Sequence, residues 1–428
     1  MEKLIVRGPV SLQGKVRIGG SKNAALPILA ASLLGTSPSL LRNVPDLLDV
    51  RTMLSVLENV GAQVEKIDRH TYRVGPASLR NCEPSYELIR KMRASFLITG
   101  PLLSRLGRAK VPLPGGCAIG SRPIDLHLKG FAHLGVEVIQ SAGYVEAKAG
   151  LLHGGEIYLD FPSVGATENL MMLAASIPGE TLIINAAKEP EVVDLARFLT
   201  LMGAEIQGVG TDVVLVKGKK NLQGVEYEIM NDRIEAGTFC VAAAITQGEV
   251  EIEGVDLGHI FPIVTKLEET GARVEKTGER TLLVTMRERP RAINIKTMPH
   301  PGFPTDMQAQ FTALLCIAEG VSVITETIFE SRFAHVGELE RMGANIQVEG
   351  RSVIVRGVET LNAAQVAASD LRAGAALILA GLAAQGETEI SGLFHIDRGY
   401  EAIEEKLNAL GACIKRVKDA DRGNADVE

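Results

Sequence analysis

The chain repeats one pattern six times. Each copy has an amphipathic helical segment, then Gly-Ala or Gly-Val, then two short stretches of alternating polar and apolar residues. The marker glycines lie 68 to 74 residues apart, at Gly61, Gly135, Gly203, Gly271, Gly343 and Gly411. Glycine just after a helix adopts the left-handed conformation at little cost and ends the helix. The alternating stretches predict β-hairpins, with turns such as residues 275–278.

A second helical segment, rich in small residues, precedes the marker helix in each copy. Examples begin at Ser21, Gly165, Glu235, Thr305 and Asp370. Because these segments are apolar nearly all round, they predict buried helices. A strand such as TLIINAA or VSVITET follows most of them. The sequence therefore predicts an α/β fold of six βαβαββ repeats, with buried helices in the middle and sheets outside.

The repeats predict two domains of three copies each. The first would span residues 21–230 and carry the loop around Cys117. The second would combine residues 1–20 with 231–417, because the N-terminal strand precedes the first buried helix. Residues 418–428 are polar and charged and predict a frayed tail.

Composition limits the partners and the compartment. The net charge of −7 disfavours a general nucleic-acid or anionic-membrane binder but allows a local basic pocket. The chain opens without a signal-peptide pattern, and its longest apolar stretch, residues 373–384, is shorter than the roughly 20 residues that span a bilayer. Five scattered cysteines favour a reducing cytoplasm without disulfides or structural zinc.

The most irregular segment is residues 111–127, rich in proline and glycine, which has the composition of a lid. Cys117 lies in it with Arg122 nearby. The thiol is either a small apolar filler or an exposed, reactive group whose thiolate the arginine favours.

Other polar residues stand at the starts of buried helices. Ser21 or Asn23 is explained as a helix cap. Lys22 is not, because a cation is unfavourable at a helix N-terminus. A lysine at this position indicates that an anion such as phosphate binds there. Three further residues are candidates for the site but also have a purely structural explanation. Asp306 is explained as a helix cap, and Asp370 and Arg372 are explained as a structural ion pair. Taken singly, Arg93, Arg332 and Arg398 are typical of solvated surface residues.

An ordered set of motifs carries a resemblance to a known family. The set contains SKNAALP, LPGGCAIGSRPIDLH, SVGATEN, EPEVVDLARFLTLMGA, FPTDMQAQ and DLRAG. From residue 1 to about 417 the chain resembles the enolpyruvyl transferases, and among them the UDP-N-acetylglucosamine 1-carboxyvinyltransferases of bacterial peptidoglycan synthesis. Some members have lysine where this chain has Phe161-Pro162, and some have aspartate in place of Cys117.

The resemblance implies two inside-out α/β barrel domains with the active site in a cleft between them. Its reaction is transfer of enolpyruvyl from phosphoenolpyruvate to the 3′-hydroxyl of UDP-N-acetylglucosamine, with release of phosphate and without cofactor or metal. Cys117 would be the general acid and Asp306 the general base. Lys22, Arg122 and Arg398 would hold phosphoenolpyruvate, with Asn23 beside the reacting groups.

The resemblance also implies a set of contacts to the UDP-sugar and further site residues around the base. They are Arg93, Arg122, Pro123, Ile124, Asp125, Leu126, Ser163, Val164, Gly165, Asp306, Ile328, Asp370 and Arg372. Two alternatives remain: the shikimate-pathway enolpyruvyl transferase, which shares the repeats, and a non-catalytic repeat scaffold, which would need a broad basic face.

Overall fold

The computed structural model describes residues 2–418 apart from 77, 114–123 and 142. These residues form two compact units. We call residues 20–113 with 124–231 the central unit and residues 2–19 with 232–418 the terminal unit. Each unit has its own, mainly aliphatic, core.

The described helices alternate between buried and surface positions. They are α1 (Lys22–Ala31), α2 (Leu48–Val60), α3 (Tyr86–Ile89), α4 (Thr99–Leu106), α5 (Asp125–His133), α6 (Val164–Ala174), α7 (Pro190–Met202), α8 (Arg233–Ile245), α9 (Leu257–Glu269), α10 (Gln308–Cys316), α11 (Val336–Arg341), α12 (Leu371–Ala383), α13 (Leu393–Ile396) and α14 (Ile403–Ala409). Short 3₁₀ segments cover Ser32–Leu34, Arg93–Ile98 and Thr305–Met307.

The described strands are short and lie between these helices. They are β1 (Glu2–Gly8), β2 (Gln13–Arg17), β3 (Ser39–Arg42), β4 (Gln63–Lys66), β5 (Tyr72–Gly75), β6 (Arg108–Pro112), β7 (Val136–Ser141), β8 (Tyr144–Ala149), β9 (Glu156–Tyr158), β10 (Glu180–Ile184), β11 (Glu205–Gln207), β12 (Val213–Lys217), β13 (Glu226–Glu228), β14 (Glu249–Glu253), β15 (Arg273–Gly278), β16 (Thr281–Thr285), β17 (Ile295–Lys296), β18 (Val321–Thr325), β19 (Asn345–Glu349), β20 (Ser352–Arg356), β21 (Gln365–Ala367), β22 (Gly386–Ser391) and β23 (Cys413–Lys418).

The marker glycines end their helices as predicted. All six have positive φ, between 87° and 118°. After Gly61, the N–H of Ala62 donates to the carbonyl of Leu57, so the last turn of α2 is closed by a backbone bond that needs the left-handed residue. The same bond recurs after Gly203, Gly271, Gly343 and Gly411.

The five predicted buried helices are confirmed as α1, α6, α8, α10 and α12. The sixth, α4, occupies the same place in the second repeat, where the repeat pattern predicted a helix without identifying its residues. It follows directly on the 3₁₀ segment Arg93–Ile98 and is buried from Thr99 to Leu103. Gly100 and Pro101 at its start obscured the helical pattern.

The predicted turn at residues 275–278 is wrong. These residues belong to β15, whose pairing with β16 shifts register between Lys276 and Gly278. The chain reverses at Glu279 and Arg280 instead. The Gly278 signal therefore marks the irregular end of the strand, a common position for glycine in bulged strands.

Five sheets share one arrangement of four strands. A parallel pair is extended by two antiparallel strands, as in the order β15-β16-β14-β2. The remaining sheets of this type are β13-β3-β5-β4, β11-β12-β10-β9, β17-β18-β20-β19 and β21-β22-β1-β23. The sixth, β6-β8-β7, has three described strands.

The N-terminal strand β1 lies inside the last sheet. It pairs antiparallel with β22 on one side and β23 on the other, with Val6 opposite both Thr388 and Ile414. Elsewhere the corresponding place belongs to the second strand of a hairpin, such as β16 or β20. The chain start thus supplies the strand that the sixth repeat lacks.

Candidate functional site

The site residues expected from the sequence belong to both units. Lys22, Asn23, Arg93, Ile124, Asp125, Leu126, Ser163, Val164 and Gly165 lie in the central unit, and Asp306, Ile328, Asp370, Arg372 and Arg398 in the terminal unit. Cys117, Arg122 and Pro123 lie outside the described residues.

Asp306 is held between two arginines. It lies in the 3₁₀ segment Thr305–Met307 that leads into α10. Its Oδ1 accepts from Nη2 of Arg332 at 2.8 Å, and its Oδ2 accepts from Nη2 of Arg372 at 2.8 Å. The alternative role of Asp306 as a helix cap is therefore wrong, because neither oxygen receives a backbone N–H and both bind guanidinium groups.

The charges around Asp306 decide its protonation state. Burial alone would raise the pKa of the carboxyl, but the charges and hydrogen bonds of Arg372 and Arg332 outweigh it and hold the pKa well below its usual range. The side chain is 24% exposed, whereas those of Arg332 and Arg372 are 5% and 3% exposed. The carboxylate is thus the accessible member of a cationic cluster.

Arg332 is fixed through a second carboxylate. Its Nη1 donates to the hydroxyl of Thr305, which in turn donates to Oε2 of the fully buried Glu326. Oε1 of Glu326 accepts from the backbone N–H of Ile328 at 2.7 Å. Arg332 therefore connects Asp306 to the loop that follows β18, and its expected place on the solvated surface is wrong.

Arg372 lies in the first turn of α12, which Asp370 caps. Oδ1 of Asp370 accepts from the backbone N–H groups of Arg372 and Ala373 at 2.8 and 3.0 Å. The alternative of an ion pair between Asp370 and Arg372 is therefore wrong within the described residues, because the guanidinium points to Asp306 instead. Asp370 sets where the helix begins and so where Arg372 stands.

Arg398 lies in the turn between α13 and α14. It is partly buried, and its charge helps burial lower the pKa of His395. The preceding residue, Asp397, accepts two hydrogen bonds from Arg416 of β23, at 2.7 and 3.0 Å. Bidentate pairs of this kind fix a carboxylate in position as well as in charge, so the turn that carries Arg398 is anchored to the sheet.

In the central unit, Ser21 caps α1 and Lys22 is its first helical residue. The hydroxyl of Ser21 accepts from the N–H of Ala24 at 3.3 Å, as the cap interpretation predicts. Nζ of Lys22 lies 3.3 Å from Oδ2 of Asp49 in α2. No described residue hydrogen bonds the partly buried amide of Asn23.

The remaining expected residues of the central unit gather at three helix starts. Ser163 caps α6, where Val164 and Gly165 are the first helical residues. Ile124 precedes α5, in which Asp125 and Leu126 open the first turn. Arg93 opens the 3₁₀ segment before α4.

One histidine links these three starts. The ring of His127, in α5, packs edge-to-face on that of Phe96, with 5.2 Å between the ring centres. The ring also lies close to Gly165, since a Cβ added to this glycine would be 3.5 Å from it. Burial, with the charge of Arg93 as a smaller cause, lowers the pKa of His127 to about 3. His127 ends the motif LPGGCAIGSRPIDLH and was not predicted to have a role, although its place directly after Leu126 was a usable signal.

Asn169 fixes the tautomer of this histidine. Its Oδ1 accepts from the N–H of Gly100, so its Nδ2 must be the atom near His127 and Phe96. Because Nδ2 can only donate, Nδ1 of His127 accepts at 3.2 Å. The neutral ring therefore carries its hydrogen on Nε2, the atom that faces Gly165.

The chain is similar to a known family along most of its length. A family model described as EPSP synthase (3-phosphoshikimate 1-carboxyvinyltransferase) matches residues 6–407. Curated relatives include UDP-N-acetylglucosamine 1-carboxyvinyltransferase 2 of Carboxydothermus hydrogenoformans, 55% identical over 98% of this chain and 100% of the relative. UDP-N-acetylglucosamine 1-carboxyvinyltransferase of Geobacter metallireducens is 53% identical with the same coverage.

Solved structures with a similar fold are also enolpyruvyl transferases by name. The enolpyruvyl transferase NikO from Streptomyces tendae matches with a TM-score of 0.87 and 25% identity, over 97% of this chain and 99% of that one. EPSP synthase from Acinetobacter baumannii matches with a TM-score of 0.76 over 97% and 100%, and at 19% identity this likeness concerns the fold alone. Among the described residues, no helix is long and apolar enough to cross a membrane.

Proposed function

This chain belongs to the EPSP synthase family and, within it, to the UDP-N-acetylglucosamine 1-carboxyvinyltransferases, and we propose that it transfers enolpyruvyl from phosphoenolpyruvate to the 3′-hydroxyl of UDP-N-acetylglucosamine. Phosphate is released, and the product enters peptidoglycan synthesis. The observation that carries the proposal is the partly exposed carboxylate of Asp306 between Arg332 and Arg372, a base among groups that bind anions.

Both substrates are anions, and the proposed ligands of phosphoenolpyruvate are cations. Lys22 belongs to the central unit, Arg398 to the terminal unit, and Arg122 completes the set. Arg332 and Arg372 add two buried guanidinium groups that the sequence did not single out as a pair. Preorganised cations stabilise charge on carboxylate and phosphate groups without rearranging during the reaction.

Asp306 is the proposed general base, and its surroundings explain how it is controlled. Without substrate, both of its oxygens accept from arginine and its pKa lies well below its usual range, so it is a weak base. An anionic substrate that binds Arg332 or Arg372 offsets the charge that lowers this pKa. Substrate binding then raises the basicity of Asp306 and frees an oxygen for the sugar hydroxyl.

The reaction is an addition followed by an elimination. The 3′-oxygen gives its proton to Asp306 and forms a bond to C2 of phosphoenolpyruvate, while C3 takes the proton of the Cys117 thiol. In the second step C3 returns a proton to the thiolate, the double bond re-forms, and the bond from C2 to the phosphate oxygen breaks. Phosphate leaves with the proton that Asp306 had taken.

The sugar nucleotide is proposed to contact the three helix starts of the central unit. Arg93, the residues from Arg122 to Leu126, and Ser163 to Gly165 supply charge and free backbone N–H groups, which suit a diphosphate. Ile328 of the terminal unit is proposed to lie against the sugar. His127 adds a neutral Nε2–H donor beside Gly165.

We also propose that the fold is a pair of inside-out α/β barrels, each of three βαβαββ repeats. The six sheets, the six marker glycines with positive φ and the six helices buried among them support this description. The insertion of β1 between β22 and β23 supports it further, because it completes the sixth repeat.

One assay tests the proposal. Purified protein is given phosphoenolpyruvate with either UDP-N-acetylglucosamine or shikimate 3-phosphate, and released phosphate is measured. We expect release with the sugar nucleotide only. Release with shikimate 3-phosphate would favour the activity for which the family model is named, and no release with either acceptor would favour a non-catalytic scaffold.

A further inference from the structure

Tyr400 lies two residues after Arg398 and is almost completely buried, at 2% exposure. Its hydroxyl meets three buried side chains from three different helices of the terminal unit. The partners are Thr238 of α8 at 2.9 Å, Gln310 of α10 at 3.2 Å and Arg372 of α12 at 3.1 Å. The ring also lies 5.5 Å from the guanidinium carbon of Arg372.

The direction of the hydrogen bond between Tyr400 and Thr238 can be assigned. The hydroxyl of Thr238 donates to the carbonyl of Ile234 at 2.8 Å, so it can only accept from its other neighbours. The hydroxyl of Tyr400 therefore donates to Thr238. Its two lone pairs face Nη1 of Arg372 and Nε2 of Gln310, whose two amide hydrogens are shared among Tyr400, Thr238 and Sδ of Met307.

We infer that Tyr400 is a positioning residue for the enolpyruvyl transfer proposed above: its hydroxyl holds Arg372 against Asp306 and ties Arg372 to the turn that carries Arg398. The inference rests on the proposed function. Arg372 has two tethers among the described residues, Asp306 through Nη2 and Tyr400 through Nη1. Its Nε has no hydrogen-bond partner there.

The two tethers behave differently during the reaction. Asp306 loses its negative charge when it accepts the proton of the sugar hydroxyl, and its hold on Arg372 weakens at that moment. The Tyr400 hydroxyl stays neutral, since burial raises its pKa. It therefore keeps the guanidinium in place through both protonation states of Asp306.

Tyr400 also fixes the far end of the turn that carries Arg398. Asp397 is bound to Arg416 at one end, and Tyr400 is bound to three helices at the other. Between them, a Cβ on Gly399 would lie 2.4 Å from Leu371, so the turn packs closely against the start of α12. The positions of Arg372 and Arg398 are therefore linked through one hydroxyl.

The test is Tyr400→Phe, which keeps the ring and removes the hydroxyl. We expect KM for phosphoenolpyruvate to rise and kcat/KM for it to fall about 10- to 100-fold, the size typical of a misplaced binding group. KM for UDP-N-acetylglucosamine should stay within about 2-fold, because most of its proposed contacts belong to the central unit. A merely structural tyrosine would not separate the two substrates.

The pH profile gives a second readout. A loosened Arg372 stabilises the Asp306 carboxylate less, so the pKa of Asp306 rises. The acidic limb of kcat/KM should therefore move to higher pH in Tyr400→Phe. Tyr227→Phe is the matched control, because it also removes a hydrogen-bonded tyrosine hydroxyl, here one that donates to the carboxylate of Asp194 at 2.7 Å, and both kinetic readouts should match those of the wild type.

Thr238→Val keeps the inference testable if Tyr400→Phe does not fold. It removes the acceptor that orients the Tyr400 hydroxyl, so a smaller change in the same direction is expected. Variants that fold and show unchanged KM for phosphoenolpyruvate and an unchanged acidic limb overturn the inference.

A substrate-free measurement separates this inference from the proposed function. The carboxyl stretch of Asp306 can be titrated by difference infrared spectroscopy, with Asp306→Asn as the blank. A raised pKa in Tyr400→Phe supports the inference even if the wild type releases no phosphate, which would overturn only the proposed function. An unchanged pKa overturns the inference whatever the wild-type activity.

Discussion

Nζ of Lys22 lies 3.3 Å from Oδ2 of Asp49, and both side chains are buried. The pair joins the first residue of α1 to the first turn of α2. A cation at the start of a helix faces the positive end of the helix dipole, so the carboxylate of Asp49 offsets this repulsion and holds Lys22 in place.

The first prediction concerns this pair. Asp49→Ala leaves the Lys22 charge without that carboxylate and should destabilise the protein by about 3 kcal/mol. The double variant Asp49→Ala, Lys22→Met should be less destabilised, because no buried ammonium remains. Together with Lys22→Met and the wild type, these two variants form a double-mutant cycle, in which the free energy of unfolding is measured with urea. If the losses of the two single variants add up to the loss of the double variant, Lys22 and Asp49 do not interact.

The second prediction concerns Asp306. Asp306→Asn cannot accept the proton of the sugar hydroxyl, so turnover should fall about 10² to 10⁴-fold. Circular dichroism should show a retained fold. Asp256→Asn is the control, because Asp256 is an exposed cap of α9 in the same unit and asparagine caps equally well. Near-normal turnover of Asp306→Asn would remove Asp306 from the base role.

The third prediction uses the neutral state of His127. Because its pKa is lowered to about 3, the unfolded chain takes up a proton near the ordinary pKa of 6.5, whereas the folded ring does not until far lower pH. The contribution of His127 to the free energy of unfolding is therefore fully present above pH 6.5. It decreases as the pH falls from 6.5 towards 3, by about 1.4 kcal/mol per pH unit.

His127→Gln should remove this slope from the unfolding free energy measured between pH 6.5 and 5. His133→Gln, at an exposed position of the same helix, should keep it. Nitrogen-15 spectra of the wild type should show the Nε2–H tautomer of His127 over the same range. Equal slopes in all three proteins would show that His127 is protonated in the fold.

The fourth prediction concerns Cys117, which the motif resemblance makes the proposed acid. Fosfomycin, an epoxide phosphonate that resembles phosphoenolpyruvate in its anionic group, should alkylate Cys117 alone, and UDP-N-acetylglucosamine should accelerate the reaction. Burial raises the pKa of Cys240 and Cys316 to about 12, so neither forms the reactive thiolate near neutral pH.

Cys413 provides an internal control, because it is free and exposed on β23. Peptide mapping after labelling should show it unmodified if the anion-binding residues, rather than exposure, direct the reagent. Labelling of Cys413, or none of Cys117, would contradict the assignment. Cys117→Asp should abolish the adduct and can retain turnover, since a carboxyl with a raised pKa also donates a proton.

The repeats were predictable because their signals are local. Gly61 and its five counterparts end helices through their own backbone conformation, and the buried helices are apolar nearly all round. The second repeat shows the limit, because Gly100 and Pro101 weaken the helical pattern of α4 while packing still makes it a helix.

The chemistry around Asp306 was only partly predictable. Its partners Arg332 and Arg372 lie 26 and 66 residues away along the chain, and nothing local shows that they converge on one carboxylate. Arg332, taken singly, was assigned to the surface, but it is 5% exposed. A charged side chain is buried when partners from distant segments offset its desolvation, which only the folded chain reveals.

The place of β1 has a consequence for synthesis on the ribosome. Its two neighbours, β22 and β23, are made only after the central unit. Strand β1 must therefore remain without its partners until β22 and β23 have been made. A nascent chain stopped before residue 386 would hold a finished central unit and an N-terminal strand with both edges open, a species that invites association with other chains.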